Sequence, residues 1–474
     1  MNRTIKHIHF IAVCGTAMGS FAAMLKSRGY IVTGSDDHVY PPMSIFLQQQ
    51  GIEIYQGFQP AHLEPVPDLV IVGNAMSRGN PEVETVLERK IPYTSMAAAL
   101  KTFFIEGKHS IVVSGTHGKT TTSSLIAWVL QSAGKSPGFL IGGILQNFGR
   151  GYQVGDSDIF VVEGDEYDTA FFDKGPKFFH YMPELLIVNN IEFDHADIYD
   201  NLDQIKLAFQ RLINLVPRNG LLLAGAEDPN VAELITKAFS PVQTFGIDAS
   251  MTWHVANIRY ESSATIFDVI FQDQLFGTFE APLTGEHNMR NILATIGTCH
   301  FYGLSKAEIA EGLRTFKSIK KRLEVRGIVN DIMVIDDFAH HPTAVRLTIE
   351  GVKRRNPERR VWAIYEPRTA TAKRKLMEQQ YAQAFDAADH VIFAPLHLPE
   401  KVKAEERLSV ENVIQELHKR NVSAHILPNV EAIVEHVIKQ VHAGDIILIM
   451  SNGAFGGIHE LFLERLSRNN NGTE

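Results

Sequence analysis

Short apolar runs alternate with amphipathic stretches along the whole chain, the pattern of strands interleaved with helices. Ile8 to Val13 is the first run, followed by a glycine turn and a helical stretch to about Arg28. Tyr30 to Asp36 and Asp68 to Gly73 complete the strands of this opening segment. A second group starts at Ser110-Ile111-Val112-Val113 and continues with Ile159 to Val162, Leu185 to Val188 and Gly220 to Leu223. Most of these runs end in a polar cluster, as the parallel strands of phosphate-loop α/β domains do. Between Trp253 and Phe279 the alternation has a period of two, which predicts antiparallel strands before a helix from Asn288 to His300. The third group is Ile332 to Asp337, Val361 to Tyr365, His390 to Phe393 and Asp445 to Met450, again with helical stretches between. The predicted fold class is α/β with three domains. These are a Rossmann-like N-terminal domain (1–106), a P-loop-like central α/β domain (107–322) and a Rossmann-like C-terminal domain (323–474).

Composition narrows the function classes. With 474 residues, 45% hydrophobic and 21% charged, the chain is an ordinary globular protein with ample apolar content for large cores. A net charge of −9 argues against a general nucleic-acid binder, while leaving room for a locally basic pocket. The two cysteines, Cys14 and Cys299, sit in apolar contexts and predict buried thiols in a reducing cytoplasm rather than a disulfide. The run Ile8 to Cys14 after Lys6 is interrupted by turn chemistry at Gly15 to Ser20, so it reads as strand–turn–helix rather than a signal peptide. No apolar stretch approaches a membrane span, and neither a membrane nor a nucleic-acid partner is expected. Low complexity is confined to the tail Asn469 to Gly472, which is expected to be disordered.

The densest chemistry is Gly115-Thr116-His117-Gly118-Lys119-Thr120, placed between an apolar strand and the helical stretch that begins at Thr121. A glycine turn at a helix N-terminus aims N–H groups and the positive end of the helix dipole at phosphate. Lys119 supplies a point charge for the outer phosphates and Thr120 a hydroxyl for Mg²⁺. The first glycine of a full G-x-x-x-x-G-K-[ST] loop would fall at Val113, so the loop is shortened. Glu163, at a strand end, suits the carboxylate ligand that Mg²⁺ needs besides phosphate oxygens; Asp165, Glu166 and Asp168 beside it are left unassigned. His195 follows the next strand, as a second metal position or as packing. Asn288 and Asn291 suit the adenine edge, or helix capping. Arg322 suits a transferring phosphate, or an interdomain salt bridge. Asp336-Asp337-Phe338-Ala339-His340-His341-Pro342 suits a ribose or a reacting carboxylate, and the glycines after Asn452 allow close backbone approach to a ligand. In the N-terminal segment, Gly15-Thr16-Ala17-Met18-Gly19 and the later Asp36 approximate a nucleotide fingerprint without its full glycine spacing. Asn74 lies at the carboxyl end of a strand, where open α/β sheets bind ligands.

These clusters, in this order, resemble the Mur ligase family, ATP-dependent amide-forming enzymes of peptidoglycan synthesis. The matching stretches are the phosphate loop, Glu163-Gly164-Asp165-Glu166, His195, Gly285-Glu286-His287-Asn288 with Asn291, Arg322-Leu323-Glu324 and Asp336 to Pro342. They cover nearly the whole chain, and the shortened loop is a family feature. The resemblance implies ATP and Mg²⁺ as cofactors and Lys119, Glu163, His195 and Arg322 as catalytic residues. It implies nucleotide contacts from Gly115, Thr116, His117, Gly118, Lys119, Thr120, Thr121, Asn288, Asn291, Arg322 and Asp337, and metal contacts from Thr120, Glu163 and His195. Substrate contacts are expected from Gly15, Thr16, Ala17, Met18, Asp36, Asn74, His340, Arg368 and Asn452. Arg368 is the candidate cation for a peptide's carboxylates, with a surface salt bridge as its other reading. Glu163 to Lys174, Asn189 to Asp197 and Ser451 to His459 resemble one branch of the family. That branch joins L-alanyl-γ-D-glutamyl-meso-diaminopimelate to UDP-N-acetylmuramate through an acyl phosphate in murein recycling. The alternatives are addition of L-alanine alone to the same acceptor, a folylpolyglutamate synthase, and a non-catalytic nucleotide switch. Closure of the third domain over the central one is expected to keep water from the acyl phosphate.

Overall fold

The structure, a computed structural model, describes residues 4–261 and 263–468; the low-complexity tail lies outside the described residues. Three large sheets and a two-stranded antiparallel ribbon, Asp168–Ala170 with Asp173–Pro176, organise them. Strands His7–Ile11, Ile31–Asp36, Glu53–Gln56, Leu69–Val72 and Tyr93–Ser95 form a wholly parallel sheet, ordered in space third, second, first, fourth, fifth. The order reverses beside the first strand, so a crevice opens at the carboxyl ends of the first and fourth strands. The Gly15 turn and Asn74 lie at those two ends. The first strand stops two residues short of the predicted Val13. Ala12 takes φ 70 and the chain turns there, with Ala12 N and Val13 N donating to the Ser35 carbonyl.

The central sheet has ten strands. Across it run Gln274–Ala281, Thr265–Phe271, Trp253–Tyr260, Val242–Gly246, Leu221–Ala224, Leu185–Val188, His109–Ser114, Ile159–Gly164, Gly138–Leu145 and Arg150–Gln153. Strands from Trp253–Tyr260 to Gly138–Leu145 pair parallel, and both margins are antiparallel. The period-two stretch is the antiparallel meander at one margin. The phosphate-loop strand His109–Ser114 lies between Ile159–Gly164 and Leu185–Val188, so their three polar tips meet. In the third sheet Glu324–Val329 pairs antiparallel with Ile332–Asp337, followed in parallel by Ile446–Met450, Val361–Tyr365, His390–Phe393 and Ser423–Ile426. This order puts the ends at Asp337, Ser451 and Glu366 side by side. Seven of the strands in these large sheets were not evident in the hydrophobic pattern, Glu53–Gln56, Tyr93–Ser95 and Val242–Gly246 among them. Gly138–Leu145 is glycine-rich, and Arg150–Gln153, Glu324–Val329 and Ser423–Ile426 are short or half-exposed edges without clean alternation.

Packing differs at the two junctions. One buried cluster runs from Phe10 and Phe21 through Phe104 to Phe160 of the central sheet, and the rings of Phe21, Phe104 and Phe160 follow one another at 5.8 and 6.3 Å. Each fully buried Phe contributes about 1.5–3 kcal/mol, so this shared core fixes the N-terminal sheet to the central one. The opposite face of the central sheet packs under helices Lys119–Ser132, Glu286–Phe301 and Lys306–Arg314. The third sheet has its own cores on its two faces. Cys299 is buried as expected, whereas Cys14 is half-exposed at the turn, where its N–H donates to Asp36. Among the described residues no helix is long and apolar enough to cross a membrane.

Candidate active site

Helix Lys119–Ser132 opens directly on the glycine turn, with Gly118 at φ 84 and ψ −10. A Cβ at Gly118 would stand 2.6 Å from Asn291 Oδ1 and 2.7 Å from Asn189 Nδ2, so only glycine fits this left-handed position. The N–H groups of Lys119, Thr120 and Thr121 are the first of the helix and have no intrahelical acceptor, which leaves them for an anion. The loop is held from behind. Asn190 accepts His117 N at 2.8 Å on Oδ1 and Thr116 N at 3.1 Å on its carbonyl, and Asn189 Nδ2 donates to the His117 carbonyl at 3.1 Å.

Lys119 donates to the Gly115 carbonyl at 2.7 Å and pairs with Glu166 Oε2 at 3.0 Å, while Glu166 Oε1 meets His195 Nε2 at 2.8 Å. Burial pulls the Lys119 ammonium down, but the charges of Glu166 and Asp165 outweigh it and the net direction is up. Burial works against the Glu166 carboxylate too, yet Lys119 and His195 hold it at about 2. His195 takes φ 56, its ring 4.0 Å from that of Tyr167.

Thr120 Oγ1 donates to Glu163 Oε2 at 3.2 Å, and Gly142 N donates to Glu163 Oε1 at 2.8 Å. Burial, then Asp165, pushes the Glu163 carboxyl up to about 7. A hydroxyl and a carboxylate oxygen this close fit a hard divalent cation such as Mg²⁺. The His195 Nε2 is engaged by Glu166, which leaves Nδ1 as its other ring nitrogen.

Asn288 and Asn291 do not have free amides. Asn288 Nδ2 donates to the Thr284 carbonyl at 2.8 Å and Asn291 Nδ2 to Asn288 Oδ1 at 3.2 Å, while Asn291 Oδ1 accepts from Thr122 at 3.1 Å. Both are buried, and their chain of amides leads to the back of Gly118. The helix starts at Glu286, earlier than predicted, so Asn288 lies in its first turn rather than at its cap.

The third domain reaches the same tips. Among the described residues Arg322 has no carboxylate within ion-pair distance, so the salt-bridge reading fails. Its guanidinium lies 4.8 Å over the Phe338 ring and its field reaches Glu163. Asp337 is buried, and its two oxygens accept Leu323 N and Ala339 N, each at 2.8 Å, which clamps the interdomain linker. Glu192 accepts Thr343 Oγ1 at 2.7 Å and lies 3.3 Å from His341 Nδ1 and 3.4 Å from His117 Nε2. His340 Nε2 stands 3.9 Å from Asp194, and burial pushes both His340 and His341 down to about 4. Arg368 lies against Gly453, where a Cβ would be 2.6 Å from its Cζ, with Glu366 Oε1 at 3.5 Å; Asn452 Oδ1 beside it is buried without a partner among the described residues.

The N-terminal candidates lie apart, in the crevice of the first sheet. Gly15, Thr16 and Asn74 are exposed and Ala17 is half-buried, whereas Met18 is buried beneath the turn. Asp36 accepts Cys14 N and His38 N, both at 2.9 Å, and so shapes the turn. Glu166, Glu192, Asn189 and Asn190 had no assigned role in the sequence. Their signals were position at strand tips flanking the loop and membership of the stretches Glu163 to Glu166 and Asn189 to Asp197 that carry the resemblance.

The chain matches the Mur ligase family catalytic domain over residues 7–106, the Mur ligase middle domain over 113–299 and the Mur ligase glutamate ligase domain over 321–453. It is 40% identical over 463 residues to the UDP-N-acetylmuramate–L-alanyl-γ-D-glutamyl-meso-2,6-diaminoheptandioate ligase of Escherichia coli, covering 97% of this chain and 98% of that one. It is 32% identical over 461 residues to the UDP-N-acetylmuramate–L-alanine ligase of Acetivibrio thermocellus, covering 97% and 96%. The crystal structure of a murein peptide ligase Mpl from Psychrobacter arcticus, 38% identical, aligns with a TM-score of 0.73 over 98% of this chain and 99% of that one. Matched from its first sheet to its last by the domains of one family, this chain belongs to the Mur ligases.

Proposed function

We propose that the protein joins L-alanyl-γ-D-glutamyl-meso-diaminopimelate to UDP-N-acetylmuramate, with ATP converted to ADP. The observation that carries this reading is the meeting of three elements. The shortened phosphate loop, the Thr120–Glu163 oxygen pair and Arg322 converge where the third domain's loop from Glu366 to Lys373 is tied beside His195. Full-length similarity to a tripeptide ligase, at 40% against 32% for an L-alanine ligase, supports the peptide over the single amino acid. The proposed division of labour follows the three sheets: UDP-sugar on 1–106, ATP on 107–322 and peptide on 323–474. Residues Gly15, Thr16, Ala17 and Asn74 face the sugar nucleotide, with Asp36 and Met18 shaping that turn. A cytoplasmic location goes with these substrates.

A carboxylate is a poor electrophile and needs activation before an amine can displace its oxygen. In this reading the lactyl carboxylate of the sugar takes the γ-phosphoryl group, giving an acyl phosphate. The peptide's alanyl amine then attacks the acyl carbon, and orthophosphate leaves. The helix N-terminus and Lys119 meet charge on the transferring phosphoryl oxygens, and Arg322 meets it from the linker. Thr120 and Glu163 would hold Mg²⁺, with His195 as a second position; the ion supplies charge neutralisation at the phosphates. Glu166 keeps Lys119 and the His195 ring aligned. Asn291 and Asn288 brace the loop from behind, and Asp337 sets the linker that carries Arg322.

Purified protein given UDP-N-acetylmuramate, ATP, Mg²⁺ and either the tripeptide or L-alanine tests this. Orthophosphate and joined product are expected with the tripeptide at lower concentration than with L-alanine. Preference for L-alanine would put the alternative, a UDP-N-acetylmuramate–L-alanine ligase, in its place.

A further inference from the structure

Lys373 is a buried cation without a buried anion. It is 4% exposed, and among the described residues its Nζ donates to one acceptor, the Leu398 carbonyl at 3.4 Å, with no carboxylate at ion-pair distance. Leaving an ammonium buried and unpaired is costly, so such a group calls for an anion from elsewhere. Arg368 and Lys401 act on it as like charges and Glu400 as an opposite one, and His397 lies in the field of Arg368, Glu366, Lys373 and Glu400. Glu366 is already committed to the Ser451 hydroxyl and Arg368. The two loops that carry these residues are joined by His397 N donating to the Pro367 carbonyl at 3.1 Å. The same loop reaches the reaction centre: Ala196 N, next to His195, donates to Thr371 Oγ1 at 3.2 Å, two residues from Lys373.

We propose that Lys373, together with Arg368, forms an anion subsite that reads a carboxylate on the part of the peptide remote from its reacting amine. The subsite thereby selects a carboxylate-bearing peptide over a single amino acid. This deepens the tripeptide-ligase reading and rests on it. Burial, then the charge of Lys401, draws the Lys373 pKa down, and a carboxylate seated against it reverses that pull. Asn452 Oδ1, one residue from the glycine under Arg368, is a buried polar atom without a partner among the described residues on the same strand-end cluster.

The test compares the tripeptide with the same peptide carrying amidated diaminopimelate carboxylates. Amidation is expected to raise the wild-type KM by about tenfold or more, the worth of one hydrogen bond to a charged group. Lys373→Met should raise the tripeptide KM similarly, lose most discrimination against the amidated peptide, and leave the KM for ATP and for UDP-N-acetylmuramate unchanged. Lys373→Arg should keep part of the discrimination, and it decides the matter with the wild type if Lys373→Met does not fold. Equal use of both peptides by the wild type, or full discrimination retained by Lys373→Met, overturns the subsite and leaves the ligase reading standing. No product from the wild type with any peptide overturns the ligase reading and the subsite with it.

Discussion

Lys119 and Glu163 show how one site holds charges in opposed states. The lysine keeps its proton because Glu166 answers its charge, while Glu163, with Asp165 as a neighbour, is left wanting a cation. His287 shows the cost of burial without an answering charge. The residue is half-buried, its buried Nδ1 has no partner among the described residues, and burial, then the charges of Arg290 and Arg322, pushes it from 6.5 down to about 4. Below pH 6.5 the unfolded chain takes up this proton while the folded protein does not, so stability falls as the pH drops from about 6.5 towards 4. Glu166 and Glu192, held at about 2, lose their contribution only as the pH falls below their ordinary value of 4.5, so they act lower in the range. Thermal midpoints measured from pH 7 to 5 should therefore decline more steeply for the wild type than for His287→Gln. Parallel curves would contradict the assignment.

At the scale of elements, the helix that begins at Lys119 depends on a turn braced by two others. The strand tip at Asn189 and Asn190 and the helix bearing Asn291 both press on Gly118 from behind. Gly118→Ala puts a side chain into that contact and holds a non-glycine residue at positive φ, which costs about 1–3 kcal/mol. The loop is then expected to shift, raising the KM for ATP along with the loss in denaturant midpoint. An unchanged ATP KM in the folded variant would show that the brace does not set the loop's geometry.

Across the whole molecule, the two junctions are built from different forces. The first and central sheets share an apolar core. The third domain docks mainly through polar contacts, Glu192 with His341 and Thr343, Asp194 near His340, Ala196 with Thr371, and Lys321 Nζ with the Gly453 carbonyl at 2.6 Å, although Phe193 of the central domain also packs against its core. Polar contacts exchange with water at small net gain, so this junction is the one suited to open for substrates and close over the acyl phosphate. Small-angle scattering should give a larger radius of gyration for ligand-free Glu192→Ala than for the wild type, and a smaller one for the wild type with nucleotide and UDP-N-acetylmuramate. Identical dimensions throughout would argue for a fixed junction.

Local physics made much of this legible in the sequence. Apolar periodicity located most strands, and the glycine turn before Lys119 located the strand–turn–helix with its exposed helix N–H groups, because both depend on residues close in the chain. The closeness of Thr120 and Glu163 was readable too, since a strand tip beside such a loop has one direction to face. Strand order and the partners of the remaining polar residues were decided only in three dimensions. Nothing in the acidic run from Glu163 to Asp168 says that Glu166 turns back to Lys119 and His195. Nothing in Asn288 or Asn291 says that their amides are spent on bracing Gly118, or that Lys373 is buried with no carboxylate at ion-pair distance among the described residues. Those outcomes depend on which strands become neighbours and how domains dock. Hydrophobic pattern is blind to both, because a polar side chain's partner is set by distance in space and not by spacing along the chain.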